Sequence, residues 1–312
     1  MLAHWDEIEA NRREKGEMAA SWQRLGSAAG TRAVGVNRVR IDPGRLSTPP
    51  HSHGASEELV FVLGGSGLSW QDEHVYELRP GDCVVHVYDR EEHTLCGGLD
   101  GLDVLIFGTR HPTELGWLPR SQAIRFGWPW VQGRTDDPWE VEAQSEPLEL
   151  GEPSPRPGHI VNVDDVETAT DRPGEWKGLA AAAGSERTGL NWVRLGPGLM
   201  RTPPHCHSAE EEVYVVLEGS GTLELWPSPV AQSRGETRRD VEIRAGHVIA
   251  QPPGTKLAHA LRAGAEGLTY LAYGTREPHD VAYYPRSNKL YWRGVGLIGR
   301  VEVLEYGDGE PD

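Results

Sequence analysis

The sequence is poor in cysteine and has no long apolar run. Only Cys83, Cys96 and Cys206 occur in 312 residues, with no CxxC spacing. So odd and sparse a set excludes a disulfide framework and fits reduced thiols in a cytoplasm. No stretch approaches the ~18 apolar residues of a transmembrane helix. The opening segment MLAHWDEIEANRREKGEM carries acids and no apolar centre, so no secretory leader is expected. Positive charge is also scarce: 31 Lys and Arg stand against 47 Asp and Glu, a formal net charge of −16. That excludes a general nucleic-acid binder, which needs a basic face for phosphates, and an anionic membrane surface as partner. A cytoplasmic protein acting on a small molecule is the remaining expectation.

What is abundant is turn-forming residues. The 38 Gly and 23 Pro are scattered between short apolar runs, which predicts many tight turns in an all-β chain. LVFVLG, CVVHVY, LDVLIFG, VYVVLEG, TLELW, HVIAQ and LTYLAYG read as strands, being β-branched or aromatic and bounded by Gly or Pro. Residues 5–20, rich in Glu, Ala and Arg, are expected to form a helix.

The chain contains one repeat. NRVRIDPGRLSTPPHSHGASEELVFVLGGSG (37–67) falls on NWVRLGPGLMRTPPHCHSAEEEVYVVLEGSG (191–221) without a gap, so Asn37 matches Asn191 at an offset of 154. Further on, Gly81 matches Gly246 at an offset of 165. FGTRHPTELGWLPRS (107–121) then matches YGTREPHDVAYYPRS (273–287) at 166. Two tandem domains follow, residues 1–131 and 159–312. Residues 132–158, rich in Pro, Glu and Gly, read as an extended linker. Loop 227–240 is the main insertion of the second copy, a lid or a solvated hairpin tip.

Chemistry concentrates at matching places in the two copies. His205 and His207 alternate around Cys206, which puts both rings on one face of a strand and the thiol on the other. Glu212 opens the next strand, and His259 follows a Gly-rich turn. The first copy repeats the set as His51, His53, Glu58 and His93. Three neutral imidazoles and one carboxylate inside a barrel suit a divalent metal and leave two positions of an octahedron open. Arg201 shares the parity of His205 and is assigned to substrate binding, unless Pro203 and Pro204 break the alternation and turn it to solvent. Tyr214 follows Glu212 by two and faces inward, with Val60 at its place in the first copy. By a register change Glu211 is a further acid or base. His86, His247, His74, His111 and His279 have no partner at ligand spacing and read as ordinary surface or core histidines.

These motifs resemble the cupin superfamily, and their duplication resembles a bicupin. The first cupin motif reads GRLSTPPHSHGASEELVFVLGG in one copy and GLMRTPPHCHSAEEEVYVVLEG in the other, each with six residues instead of five between the first Gly and first His. The second motif reads GHVIAQPPGTKLAH, with a gap of four before His259. Its partner GDCVVHVYDREEH has Val87 and Asp89 where Pro and Gly belong. That substitution predicts a displaced His93 and makes the second domain the active one. The W-x2-LG-x-AAG lead-in at Trp22–Gly30 is similar to bacterial cupins of unassigned chemistry. The resemblance implies two tandem jelly-roll (double-stranded β-helix) barrels with short flanking helices, packed against each other in a monomer or a homo-oligomer. Cupins include dioxygenases, isomerases, decarboxylases and storage proteins, so fold alone does not select a reaction.

The leading expectation is a non-haem Fe(II) dioxygenase acting on a small organic acid or aromatic compound, with Glu212 as ligand and base and Tyr214 beside it. The alternatives are a non-redox isomerase or decarboxylase using Mn, Ni, Zn or Cu, and a non-catalytic cupin that binds a metal or small molecule.

Overall fold

The computed structural model describes residues 2–126, 130–131, 137–304 and 306–309, the pair 130–131 as backbone only. Residues 132–136 of the expected linker lie outside this range. The strand signals hold because Gly and Pro punctuate runs whose alternate side chains have a core to enter. Val34–Ile41, for example, sends Val34 and Val36 from one face into the core shared by the two copies and Val39 and Ile41 from the other face into the barrel.

Each copy builds a twisted antiparallel sheet that folds into a jelly-roll barrel. In the first the order is Ile160–Asn162, Asp82–His86, Glu58–Gln71, His93–Thr109, Val34–Ile41, Met18–Gln23, Asn11–Lys15. In the second it is Leu2–His4, His247–Gln251, Glu212–Pro227, Leu257–Thr275, Thr188–Leu195, Glu175–Gly178. The outermost strand of each comes from the opposite copy: Leu2 pairs with Ile249, and Ile160 with Val84, which is Ile249's counterpart. Each borrowed strand covers an edge that would otherwise expose unpaired backbone.

The long central strands bend at matched glycines. Bulges fall around Gly65 and Gly219, whose φ angles are +78° and +75°. A Cβ would stand 2.2 Å from the Gly101 oxygen in one copy and 2.3 Å from the Gly267 oxygen in the other. Only glycine meets both demands.

The copies share one apolar core. Leu59, Phe61, Leu105 and Phe107 pack with Val213, Val215, Leu271 and Tyr273, and the Phe107 and Tyr273 rings lie 5.1 Å apart. Two fully buried carboxylates lock this interface reciprocally. Glu57 accepts from the backbone N–H groups of Glu186 and Thr188 and from the hydroxyls of Ser185 and Thr188. Its counterpart Glu211 accepts from the N–H groups of Arg32, Ala33 and Val34. Residues 186–188 are the repeat of 32–34. Glu211 is thus an interface clamp, which corrects its reading as an acid or base.

Three local expectations also change. Residues 5–20 form a one-turn 3-10 helix and a hairpin, not a helix, because Gly16 (φ +53°) reverses the chain and Ala19 and Ala20 are buried in the sheet. Tertiary pairing overrides the local propensity. The linker carries a short helix, Pro138–Ala143, capped by Asp137, whose Glu142 accepts from the Ser121 N–H. The insertion opens with a short helix, Pro229–Ser233, and residues 232–240 are exposed, consistent with a solvated tip.

Candidate metal centres

Two small sheets carry the HxH segments. Ser52–His53 pairs with Leu115–Leu118, and Cys206–His207 pairs with Val281–Tyr284. The distal histidine closes the same ladder in each copy: His51 and His93 exchange backbone hydrogen bonds of 3.1 and 2.8 Å, as do His205 and His259.

In the first barrel one atom each from His51, His53, Glu58 and His93 lies within 4.8 Å of all the others. His53 Nε2 and His93 Nε2 stand 3.6 Å from the two Glu58 oxygens. The expected displacement of His93 does not occur. Asp89 adopts φ +54° and donates its N–H to the His53 carbonyl at 2.7 Å. In the second copy Gly254, at φ +71°, donates to the His207 carbonyl at 3.1 Å. Aspartate is among the few residues that tolerate this conformation, so the turn survives the loss of Pro and Gly.

In the second barrel His205, His207 and Glu212 form the corresponding group. Glu212 Oε2 lies 3.4 Å from His205 Nε2, 3.3 Å from His207 Nε2 and 3.0 Å from His259 Nε2. Tyr214 donates its hydroxyl to the same oxygen at 2.9 Å and lies 3.0 Å from His259 Nε2. Burial and the Glu212 charge hold the Tyr214 phenol well above its ordinary pKa, so it stays protonated.

In His51, His53, His205 and His207 the ring nitrogen facing away from the centre is held, whereas the buried Nδ1 of His259 has no hydrogen-bond partner. His51 and His205 donate Nδ1–H to the carbonyls of Pro49 and Pro203, each at 3.0 Å. His53 Nδ1 bonds Glu114 at 3.1 Å, and His207 Nδ1 bonds Asp280 at 2.6 Å. The buried Nε2 atoms of His53, His93 and His207 have no hydrogen-bond partner. Imidazoles fixed through Nδ1, with bare Nε2 atoms converging on a carboxylate, form a donor set that suits a divalent transition metal.

The charges fit this picture. Burial opposes ionisation of Glu58 and Glu212, but the facing imidazoles outweigh it and hold both carboxyls well below the usual range. Burial also disfavours a charged His53. Glu114 and Glu58 overcome it and raise the ring to about 9, while Glu212 and Asp280 raise His207 to about 10. Burial lowers His51 to about 3 and His93 and His259 to about 4, so these stay neutral.

Sequence reasoning missed several neighbours. Glu114 and Asp280 orient the second histidine of each pair, and the one available signal is an acid at the same place in both repeats. Tyr284 lies nearly parallel to His205 at 5.8 Å. Glu210, buried and held by Arg293, is pushed up to about 7 by burial. Both readings of Arg201 give way to a structural role. It is buried, with Nη2 on Asp171 at 2.9 Å and Nη1 facing the carbonyls of Arg172, Pro173 and Gly174, because the 171–174 loop folds over it.

Comparison with known proteins agrees with this architecture. The family model described as cupin domain matches residues 37–95, and that described as cupin matches residues 183–290. No curated protein matches the sequence. Among solved structures, Bacillus subtilis oxalate decarboxylase at pH 4.6 aligns with a TM-score of 0.59 and 14% identity, over 88% of this chain and 75% of that one. The formate complex of Lactobacillus farciminis oxalate decarboxylase gives 0.60 and 14%, over 88% and 86%. A structure concerned with the Mn(II) centres of the Bacillus subtilis enzyme gives 0.57 and 16%, over 88% and 76%. At these identities the likeness establishes the fold. Among the described residues no helix is long and apolar enough to cross a membrane.

Proposed function

Because two cupin domains stand in tandem, the chain is a bicupin of the cupin superfamily, and from that premise we propose that it is a metal-dependent enzyme removing a carboxyl group from a small organic acid without net oxidation. The observation that carries this reading is the cluster of His51, His53, Glu58 and His93 in the first barrel and of His205, His207 and Glu212 in the second, where His259 Nε2 stands 3.0 Å from the same carboxylate. His51, His53, Glu58 and His93 would hold one divalent ion, and His205, His207, Glu212 and His259 the other. Such an ion supplies a Lewis-acid centre for a carboxylate oxygen. Mn(II) is the metal we favour over Fe(II), since the solved likenesses are oxalate decarboxylases and one concerns Mn(II) centres. The same comparisons favour the non-redox alternative over the dioxygenase expectation.

The chain's own residues divide the remaining work. Glu114 and Asp280 fix the orientation and tautomer of His53 and His207. Tyr214 holds the Glu212 carboxylate with a proton that it keeps, and with Glu212 it is the group we assign to contact with the substrate in the second barrel. The apolar shared core keeps bulk water from reaching either centre from the interface side.

The test begins with metal analysis of protein purified without chelator or a His-tag, beside His51→Ala and His205→Ala. About two ions per chain, one lost in each variant, is the expected result. Mn-loaded protein is then given oxalate and a panel of other small carboxylic acids under argon, and CO2 is measured. CO2 release without oxygen supports the reading. Turnover that requires oxygen consumption returns the dioxygenase, and no metal after reconstitution with Mn(II) or Fe(II) sinks both.

A further inference from the structure

The stretch of the first repeat that departs furthest from the cupin motif, GDCVVHVYDREEH, brings two extra functional groups to the first barrel. His86 is 2% exposed and lies directly across the ladder from Glu58, so both side chains leave the sheet on the barrel side. Its ring stacks on that of His93, with centroids 3.8 Å apart and planes within 5°. Both rings hang from Glu91: His86 Nδ1 bonds the Glu91 carboxylate at 3.0 Å, and His93 Nδ1 lies 3.4 Å from the Glu91 carbonyl. His93 Nε2 stands 3.6 Å from Glu58, and His86 Nε2, on the ring stacked against it, is fully buried and without a hydrogen-bond partner.

Parallel stacking makes His86 a poor further ligand. Two rings lying face to face cannot both aim their in-plane lone pairs at one ion. What remains is a carboxylate–imidazole pair beside the centre, with its inner nitrogen free for a bound molecule. The second barrel has no such pair. Gln251 stands across from Glu212, and Lys256 and Leu257 occupy the stretch matching Glu91.

We infer that His86, oriented by Glu91, is a catalytic residue of the first barrel, touching the bound acid and delivering the proton that replaces the lost carboxyl group. The inference rests on the metal-dependent decarboxylation proposed above. In the step, the bond from the substrate carbon to its carboxyl carbon breaks and CO2 leaves. The electron pair stays on the substrate carbon, which takes the Nε2 proton of a His86 ring protonated on both nitrogens, leaving a neutral ring whose Nδ1–H stays on Glu91. Solvent restores that proton, so no oxidant is needed. The degraded motif is then the place where the first barrel acquired its acid, and the first barrel, not the second, carries the proton transfer.

The experiment uses full-length His205→Ala protein loaded with Mn(II), so that only the first site is filled, with oxalate as the probe. His86→Gln, which installs the residue of the second copy, and Glu91→Gln are compared in that background. Metal content, thermal unfolding, oxalate affinity from the Mn(II) EPR signal, and CO2 release are measured. The expected result for His86→Gln is one retained metal, unchanged unfolding, at least tenfold weaker oxalate binding and a loss of turnover of about 10²-fold or more. Glu91→Gln should fall in the same direction. Oxalate binding and turnover within twofold of the His205→Ala parent overturn the role of His86 while leaving the metal reading intact. A parent that takes up no metal, or metal but no oxalate, overturns that reading and this inference with it.

Discussion

At the scale of single residues, the ligand histidines are organised by acids outside the ligand set. In the metal-free protein His207 lies between Glu212 and Asp280 and is raised to about 10, so it is charged at neutral pH. A raised folded-state pKa means that this charge stabilises the fold fully below about 6.5, and that the stabilisation is lost as pH rises through about 10. A metal at Nε2 must displace that proton, so uptake releases protons and affinity falls as pH falls. Asp280→Ala is therefore expected to weaken metal binding at the second site by about 10- to 100-fold and to release fewer protons. Calorimetric titration in two buffers of different ionisation heat measures both, and an unchanged affinity would remove Asp280 from its orienting role. The eight candidate ligands were legible because HxH and Glu recur twice at fixed spacing and a distal His follows in each copy. Asp280 and Glu114 were not, because each meets its histidine only when strands far apart in the chain are brought into register, and His86 was not, because its stacking on His93 depends on how the intervening turn folds.

At the scale of the element, the fold depends on backbone that cannot tolerate a side chain. Gly219 combines φ +75° with a neighbouring oxygen 2.3 Å from where a Cβ would stand. Gly219→Ala must either break the bulge or push Leu257–Thr275 away, and we expect a loss of about 2–4 kcal/mol, read as a shift in the urea midpoint. Gly254→Ala, in open space at φ +71°, serves as the milder comparison. The strand runs were legible because β-branched residues alternate between glycines. The hairpin at residues 11–23 was not, because its Glu, Ala and Arg content suits a helix, and the reversal at Gly16 and pairing with Val34–Ile41 decide otherwise. Asp89 shows the same limit: its backbone can take the glycine conformation, which a motif written in residue types does not record.

At the scale of the whole molecule, the two barrels are joined by one apolar core and a reciprocal pair of carboxylate clamps. Glu57 and Glu211 each neighbour a candidate ligand and each reach into the other copy. Adjacent glutamates of identical type, Glu57–Glu58 and Glu211–Glu212, thus have opposite tasks, and register alone separates the clamp from the ligand. Glu211→Ala removes the acceptor from the N–H groups of Arg32, Ala33 and Val34, at a cost of about 1–3 kcal/mol for the buried Val34 N–H left unsatisfied. The expected outcome is a lower melting temperature in a single transition, followed by calorimetry. Two separate transitions would show barrels that fold independently. The exchanged edge strands carry this coupling into time. On the ribosome Asp82–His86 emerges well before Ile160–Asn162, and Leu2–His4 emerges long before His247–Gln251. Neither sheet can be finished while its own half is the only one available. Nascent chains should therefore hold the Asp82–His86 edge open until residues 160–162 emerge, and the segment at residues 2–4, though early in the chain, would wait for His247–Gln251 and be among the last to find its place.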